Sequence, residues 1–441
     1  MTRLRRIAPL YLRTVARREW QLALLALVGL APGVAALLAW LNIAVHVRAQ
    51  GTGQVLSGWL LPGWLLDLLG APGVLTGAGM VTLLIGCLGL TNAYLASLER
   101  RAPELILLQN FGLPYPSLLL LLTCEALATG LLGSGAGILF GWGLSRISWP
   151  AAAAYFGLSG THSLATSTLL TALLTGLGAT VLFMHTAVRL TKLTKRQSAD
   201  NGAQHNRRST LLGALYAGLL TWGVGFAMLP MMAAFILGLL AELFAILLTL
   251  GGWLLTRLYQ RLPRSPVWPL WSLAIQGLAH HPNQTAGMTL ALTTGAYAVG
   301  MAALSWLASE GQARFPFWVA GLVLVAGATL VFTVAALAVW ERRKTVGLLL
   351  ALGAHRRQGY QLILLEYTIV ALGGGTLGAL MALASWSIAG QPGNSWAVLG
   401  LLLVDLLGAL LAAWIGAAPV LWLVMRQSIG QAVRGIGVEI R

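Results

Sequence analysis

The chain has 441 residues, of which 58% are hydrophobic and only 9% are charged. Soluble domains carry roughly 25% charged residues, so a soluble fold is excluded. The formal charge of +16 could point to nucleic acid, but the basic residues sit between long apolar runs. No soluble face is left to display a nucleic-acid patch, so no such partner is expected.

A helix needs about 20 apolar residues to cross the hydrocarbon layer. Taken in chain order, the sequence predicts an all-α polytopic bundle of ten spans. Residues 1–21 form a basic lead-in, with Arg3–Gln21 read as an amphipathic interfacial helix. Span one covers 22–45 and outlasts the roughly 7–15-residue apolar region of a cleaved signal, so it is read as retained. The loop 46–73, with Trp59, Pro62 and Trp64, is predicted to lie along the outer interface. Spans at 74–98, 117–144 and 164–188 complete a first unit, 22–188. A basic linker, 189–209, leads to two linking spans, 210–229 and 232–256, which break near Pro230. The segment 257–285 is cytoplasmic, and within it Pro269–Thr285 reads as a second interfacial helix. Spans at 286–308, 317–340, 359–389 and 396–425 make a second unit, 286–425, followed by the tail 426–441.

Charge sets the orientation. With the N-terminus inside, every one of the 28 Lys and Arg residues except Arg48, Arg146 and Arg314 falls in an inside segment. The positive-inside bias therefore places both termini in the cytoplasm.

The two units repeat one another. Glu99-Arg100-Arg101 follows the second span, and Glu341-Arg342-Arg343 follows the eighth. From there ERRAPELILLQNFG runs to Gly112 and ERRKTVGLLLALG to Gly353, with one extra residue near Pro103. Past it, Gly112, Glu125, Gly133 and Gly137 pair with Gly353, Glu366, Gly374 and Gly378. Equivalent members are six spans apart, so the two copies have the same orientation, a parallel repeat. In each copy the charges are predicted to end the span. The apolar stretch after them (Leu105, Leu107 and Leu108, or Val346, Leu349 and Leu350) then lies as a short interfacial helix, and the Gly turns the chain back.

Four carboxylates fall within or near spans: Glu125, Glu242, Glu366 and Asp405. Ionisable groups in the bilayer are costly and face a bundle interior. Glu125 and Glu366 are expected to cap or pair with the arginines of the ERR segments. Glu242 is a candidate to pair across the linking hairpin. Asp405 has no partner in its own span and is the best candidate for a polar contact between halves. Gly133/Gly137 and Gly374/Gly378 have the small-xxx-small spacing that lets helices approach closely. Cys87 and Cys124 lie in apolar runs and read as buried hydrophobes. His280-His281 before Pro282 reads as a polar cap, not a metal site. The chain carries no GxxxxGK[ST], HExxH or GxSxG, so neither ATP binding by a P-loop nor catalysis is expected of it. Energy must come from another subunit or from an ion gradient, which keeps a secondary transporter open as the alternative.

The stretch Glu341–Ala354, with His355-Arg356-Arg357 and Leu365-Glu366, resembles the FtsX-like permease family of ABC transporters, the type that includes MacB, LolC and LolE. Glu99–Gly112 with Cys124-Glu125 matches less closely. Ten spans in one chain resemble the subgroup that holds both permease halves together. The resemblance implies a non-catalytic membrane subunit of the inner (plasma) membrane whose ERR segments dock on a dimeric ABC ATPase. ATP and Mg would then be bound by that partner, with no cofactor in this chain. It also implies export or mechanical transmission, with an accessory envelope protein as a further partner of some members. On it, the ATPase-coupling residues are Glu99, Arg100, Arg101, Glu104, Leu108, Gly112, Glu341, Arg342, Arg343, Lys344, Leu349, Gly353, Arg356 and Arg357. Two departures matter. The large external domains of the family are nearly absent, and the first segment has Leu113-Pro114-Tyr115-Pro116 where the family has a basic turn, which predicts unequal ATPase contacts.

Overall fold

The computed structural model describes residues 20–50, 63–111, 115–190, 269–280, 282–308, 314–351, 356–388 and 395–426. Among these residues every element is a helix. The elements are α1 (Trp20–Ala49), α2 (Gly63–Asn110), α3 (Tyr115–Phe156), α4 (Thr166–Leu190), α5 (Pro269–His280), α6 (Pro282–Ala308), α7 (Phe315–Ala351), α8 (Arg356–Ile388) and α9 (Ser395–Arg426). Helices α1–α4 and α6–α8 each hold a stretch long and apolar enough to cross a membrane, and α9 holds a shorter one, Leu403–Pro419. The chain is a multi-pass membrane protein. The predicted spans at 210–229 and 232–256, with Glu242, lie outside the described residues, as do nearly all of Arg3–Gln21 and of the linker 189–209.

Hydrocarbon offers backbone groups no partner, so each crossing segment must satisfy its own amides as helix. The many threonines comply in the same way. The Thr289 hydroxyl donates to the Thr285 carbonyl at 2.8 Å, and Thr293 to that of Thr289 at 2.8 Å. Helix α5 stops at His280 ahead of Pro282, a residue that disfavours helix in the position before it.

Several predicted boundaries are corrected. The loop before the second span is helical from Gly63 onward, so α2 begins well before residue 74. More important, the ERR segments do not break away as short separate helices. α2 runs unbroken through Glu99-Arg100-Arg101 and Pro103 to Asn110, and α7 runs through Glu341-Arg342-Arg343 to Ala351. Packing is the reason in the first copy. Leu105 is fully buried and joins Leu98, Leu118 and Leu122 in one apolar cluster, which keeps the segment in line with its span.

The repeat is visible in three dimensions. α1 packs on α2 and α3 as α6 packs on α7 and α8. A methyl at Gly133 would lie 2.8 Å from Leu30 Cδ2, and one at Gly137 2.7 Å from Val34 Cβ and 2.8 Å from the Ala31 carbonyl oxygen. In the second half, a methyl at Gly374 would lie 3.0 Å from Leu292 Cβ, and one at Gly378 2.6 Å from both Ala296 Cβ and the Thr293 carbonyl oxygen. Leu292, Thr293 and Ala296 therefore stand to α8 as Leu30, Ala31 and Val34 stand to α3. The halves meet through the equivalent helices α2 and α7. Ile85 of α2 enters the second-half core, and Leu337 of α7 enters the first-half core.

At the end of the bundle opposite the ERR segments, α3 continues past its predicted limit to Phe156. Its 42 residues span about 63 Å, roughly twice the hydrocarbon thickness. There Phe315, the first residue of α7, packs edge-on against Trp40 of α1 at 5.6 Å and Phe156 at 5.3 Å between ring centroids.

Candidate functional site: the ERR end of the bundle

The first ERR segment is organised around Arg101, which is only 3% exposed. Its Nη1 donates to Glu125 Oε2 at 2.9 Å and its Nη2 to Glu125 Oε1 at 2.7 Å. Nη2 and Nε also donate to the Ser97 hydroxyl oxygen, at 2.6 Å and 3.1 Å. Ser97 precedes Arg101 by one helical turn, so the two share a face of α2. Glu125 comes from α3, one turn before Thr129, whose hydroxyl donates to the Glu125 carbonyl at 3.1 Å and is hydrogen-bonded to the Tyr94 hydroxyl. The parallel two-bond fork is the strongest geometry open to a guanidinium and a carboxylate. It ties the end of α2 to α3 across the apolar cluster of Leu98, Leu105 and Leu118.

Glu125 thus meets an arginine of the ERR segment, as the sequence led one to expect. Arg101 differs from its predicted role as a surface contact: it faces inward and is closed off from any second protein. Arg100 and Glu104 are exposed, and Leu108 is half-buried against the cluster. Glu99 lies within α2. In the second copy Glu341, Arg342, Arg343, Lys344 and Leu349 lie within α7, and Arg356 and Arg357 open α8. Gly112 and Gly353 lie outside the described residues. Glu366 is buried in α8 at the place that corresponds to Glu125. Asp405 is not a contact between halves. α9 packs on α6, α7 and α8, and the Asp405 carboxyl faces Gly300 of α6, inside the second half. Cys87 is buried as expected, whereas Cys124 is exposed on α3.

The opposite end holds a polar cluster that the sequence reading missed. Asn42 of α1 is fully buried. Its Nδ2 donates to the Ser145 hydroxyl at 3.2 Å and the Ser163 carbonyl at 3.1 Å, and its Oδ1 accepts from the Ala165 amide at 3.2 Å. His46 Nδ1 donates to the Asn42 carbonyl at 2.8 Å, and its Nε2 lies 2.9 Å from the Ser163 hydroxyl. His162 Nε2 lies 2.9 Å from the Ser145 hydroxyl and 3.4 Å from Asn42 Nδ2. These bonds fasten the loop 157–165, which turns at Gly157 (φ 66°) and Gly160 (φ 110°), to the end of α1. The legible signal was two glycines, Gly157 and Gly160, just ahead of His162-Ser163.

Burial, then the positive charge of His46 and Arg146, holds the His162 imidazole below its ordinary 6.5. The folded cap thus favours the neutral ring, whose Nε2 accepts. Its stabilisation is complete above about pH 6.5 and is lost as pH falls through the depressed folded value, because protonation sets a new N–H against the Asn42 amide. Amide exchange in 157–165 should quicken below about pH 6.5 beyond its intrinsic trend, and His162→Gln should remove that excess. An excess that persists in His162→Gln would refute the assignment.

The described geometry defines the class: a duplicated, parallel-repeat membrane bundle with a charged, helical elbow in each half. The family model for the FtsX-like permease C-terminal region matches residues 76–192 and again 317–429, together just over half of the chain. The chain belongs to the FtsX-like permease family. No curated protein and no solved structure matches it.

Proposed function

We propose that the chain is the permease subunit of an ABC transporter, and that its two ERR elbows receive the thrust of a dimeric ATPase bound on the cytoplasmic side. The observation that carries this reading is the unbroken passage of α2 and α7 from the span through the ERR charges. A helix that continues unbroken from the span into the charged segment can carry a push from one to the other. In the first half the Arg101–Glu125 fork passes the push on to α3. The exposed Arg100 and Glu104, with Glu99, Leu108 and Gly112, form the first docking patch. Glu341, Arg342, Arg343, Lys344, Leu349, Gly353, Arg356 and Arg357 form the second. ATP and Mg belong to the partner. Both termini are cytoplasmic, the membrane is the inner (plasma) membrane, and the outcome is export or mechanical transmission across it. The division into halves 22–188 and 286–425, joined by 189–285, is part of the same proposal.

Co-purification tests it. The chain should bring down an ABC ATPase, and reversing Arg342, Arg343 and Arg356 to Glu should abolish the complex while leaving the bundle folded. If the triple reversal leaves the complex intact, the elbows are not the docking sites. If transport proceeds without an ATPase and follows an ion gradient, the chain is a secondary transporter.

A further inference from the structure

Asp405 differs from the other carboxylates described. It is fully buried, and neither carboxyl oxygen has a hydrogen-bond partner. Its carboxyl occupies the volume that Gly300 leaves empty. A methyl at Gly300 would overlap Asp405 Oδ2 and would lie 2.9 Å from Ala382 Cβ of α8. The nearest atom of α8 to this space is the Ala382 methyl. Nearby, a methyl at Gly375 of α8 would lie 3.1 Å from Ala409 Cβ, 3.3 Å from Leu406 Cα and 3.6 Å from the Asp405 carbonyl oxygen, so α9 packs closely on α8.

The charged and titratable groups of the packed helices are few. Along α6 the one such residue is Tyr297, which belongs to the apolar patch of Met301, Leu304 and Ala382. α7 carries none from Phe315 to Trp340, with Arg314 just before it. α8 carries Glu366 and Tyr367, with Arg356, Arg357 and Tyr360 at its start. α9 carries only Arg426 besides Asp405 itself. None of them bonds the Asp405 carboxyl.

Among the described residues no cation bonds the Asp405 carboxyl, and an ionised carboxylate buried without a paired charge is strongly disfavoured. Calcium or magnesium would need six or more oxygen ligands, and among the described residues no cluster of His, Cys, Asp and Glu gathers here to hold a metal ion. One proton is the neutralising species that fits the space.

We propose that Asp405 is a proton-binding site of the second half, loaded while α9 is packed on α6 and α8 and unloaded when α9 moves away. In the packed state the side chain is the acid. On separation the O–H bond breaks, the proton passes to water and the carboxylate is hydrated. Repacking takes one proton back. Movement of α9 is thereby linked to one proton, whether ATP or an ion gradient drives the cycle. The site does not depend on the ATPase reading.

The test uses the full chain in lipid bilayers, without an ATPase, so its outcome is separate from the co-purification above. The infrared difference spectrum between the wild type and Asp405→Asn should show the carbonyl stretch of a protonated carboxylic acid in the wild type. As pH is raised that band should fade, and amide exchange in residues 395–426 should rise in step. In Asp405→Asn, α9 exchange should follow the intrinsic pH trend alone. Carboxylate bands in place of the acid band would overturn the site. An acid band that fades with no change in α9 exchange would overturn the link to helix movement.

Discussion

Substituting Leu for Glu125 should destabilise the full-length protein by about 3–5 kcal/mol, because it leaves the Arg101 guanidinium buried and uncompensated. The same loss is expected of Arg101→Met, which strands the carboxylate. The double variant Arg101→Met/Glu125→Leu should recover most of the loss, since a well-packed apolar pair often replaces a buried ion pair at little cost. Denaturation of the purified protein in mixed micelles reads all three. The pattern separates a buried pair from a surface one, because exposed pairs are worth about 0–1 kcal/mol and would show no such recovery. If the permease reading holds, the double variant should still bind the ATPase but transmit its movement poorly, since α2 and α3 would no longer be clamped together at the elbow.

The second large effect concerns the glycines where helices cross. Leu at Gly137 should cost at least about 1–3 kcal/mol, because even its Cβ would meet Val34 Cβ at 2.7 Å and the Ala31 carbonyl at 2.8 Å. Backbone carbonyls cannot yield as a flexible side chain can, so α1 and α3 would have to separate. Gly378→Leu should do the same to α6 and α8, where the distances are 2.6 Å to Ala296 Cβ and to the Thr293 carbonyl. Gly135 and Gly373 supply the control. A methyl at either would meet nothing within 4 Å. Ala at those two positions should be neutral or stabilising by up to about 1 kcal/mol, the difference in helix propensity. Equal losses at Gly135 and Gly137 would mean that close crossing is not what the ladder provides.

Much of this was legible in the sequence for identifiable reasons. The apolar runs at 22–45 and 317–340 announce spans because the cost of placing polar groups in hydrocarbon is local and additive along the chain. The recurrence of Glu-Arg-Arg, of a turn Gly and of the Gly133/Gly137 spacing announces a duplicated unit, because each copy must solve the same packing problem. Even the arginine partner of Glu125 was foreshadowed, since a carboxylate near the membrane surface needs a cation within reach.

Direction could not be read the same way. A helix apolar on every side, such as α7, carries no stripe to say which face turns inward. Hence Arg101 read as a surface contact although it points into the bundle, and Asp405 read as a bond between halves although it is enclosed within one. The continuity of α2 through Pro103 and the Asn42–His162 cap depend on partners far away in the chain, including the Leu118 cluster and the loop 157–165. What the sequence alone determined is which segments lie in the membrane and that they form two copies, because transfer free energy and repetition are written residue by residue. What the tertiary structure decided is which way each polar group faces, because that follows from the rotation and crossing of neighbouring helices.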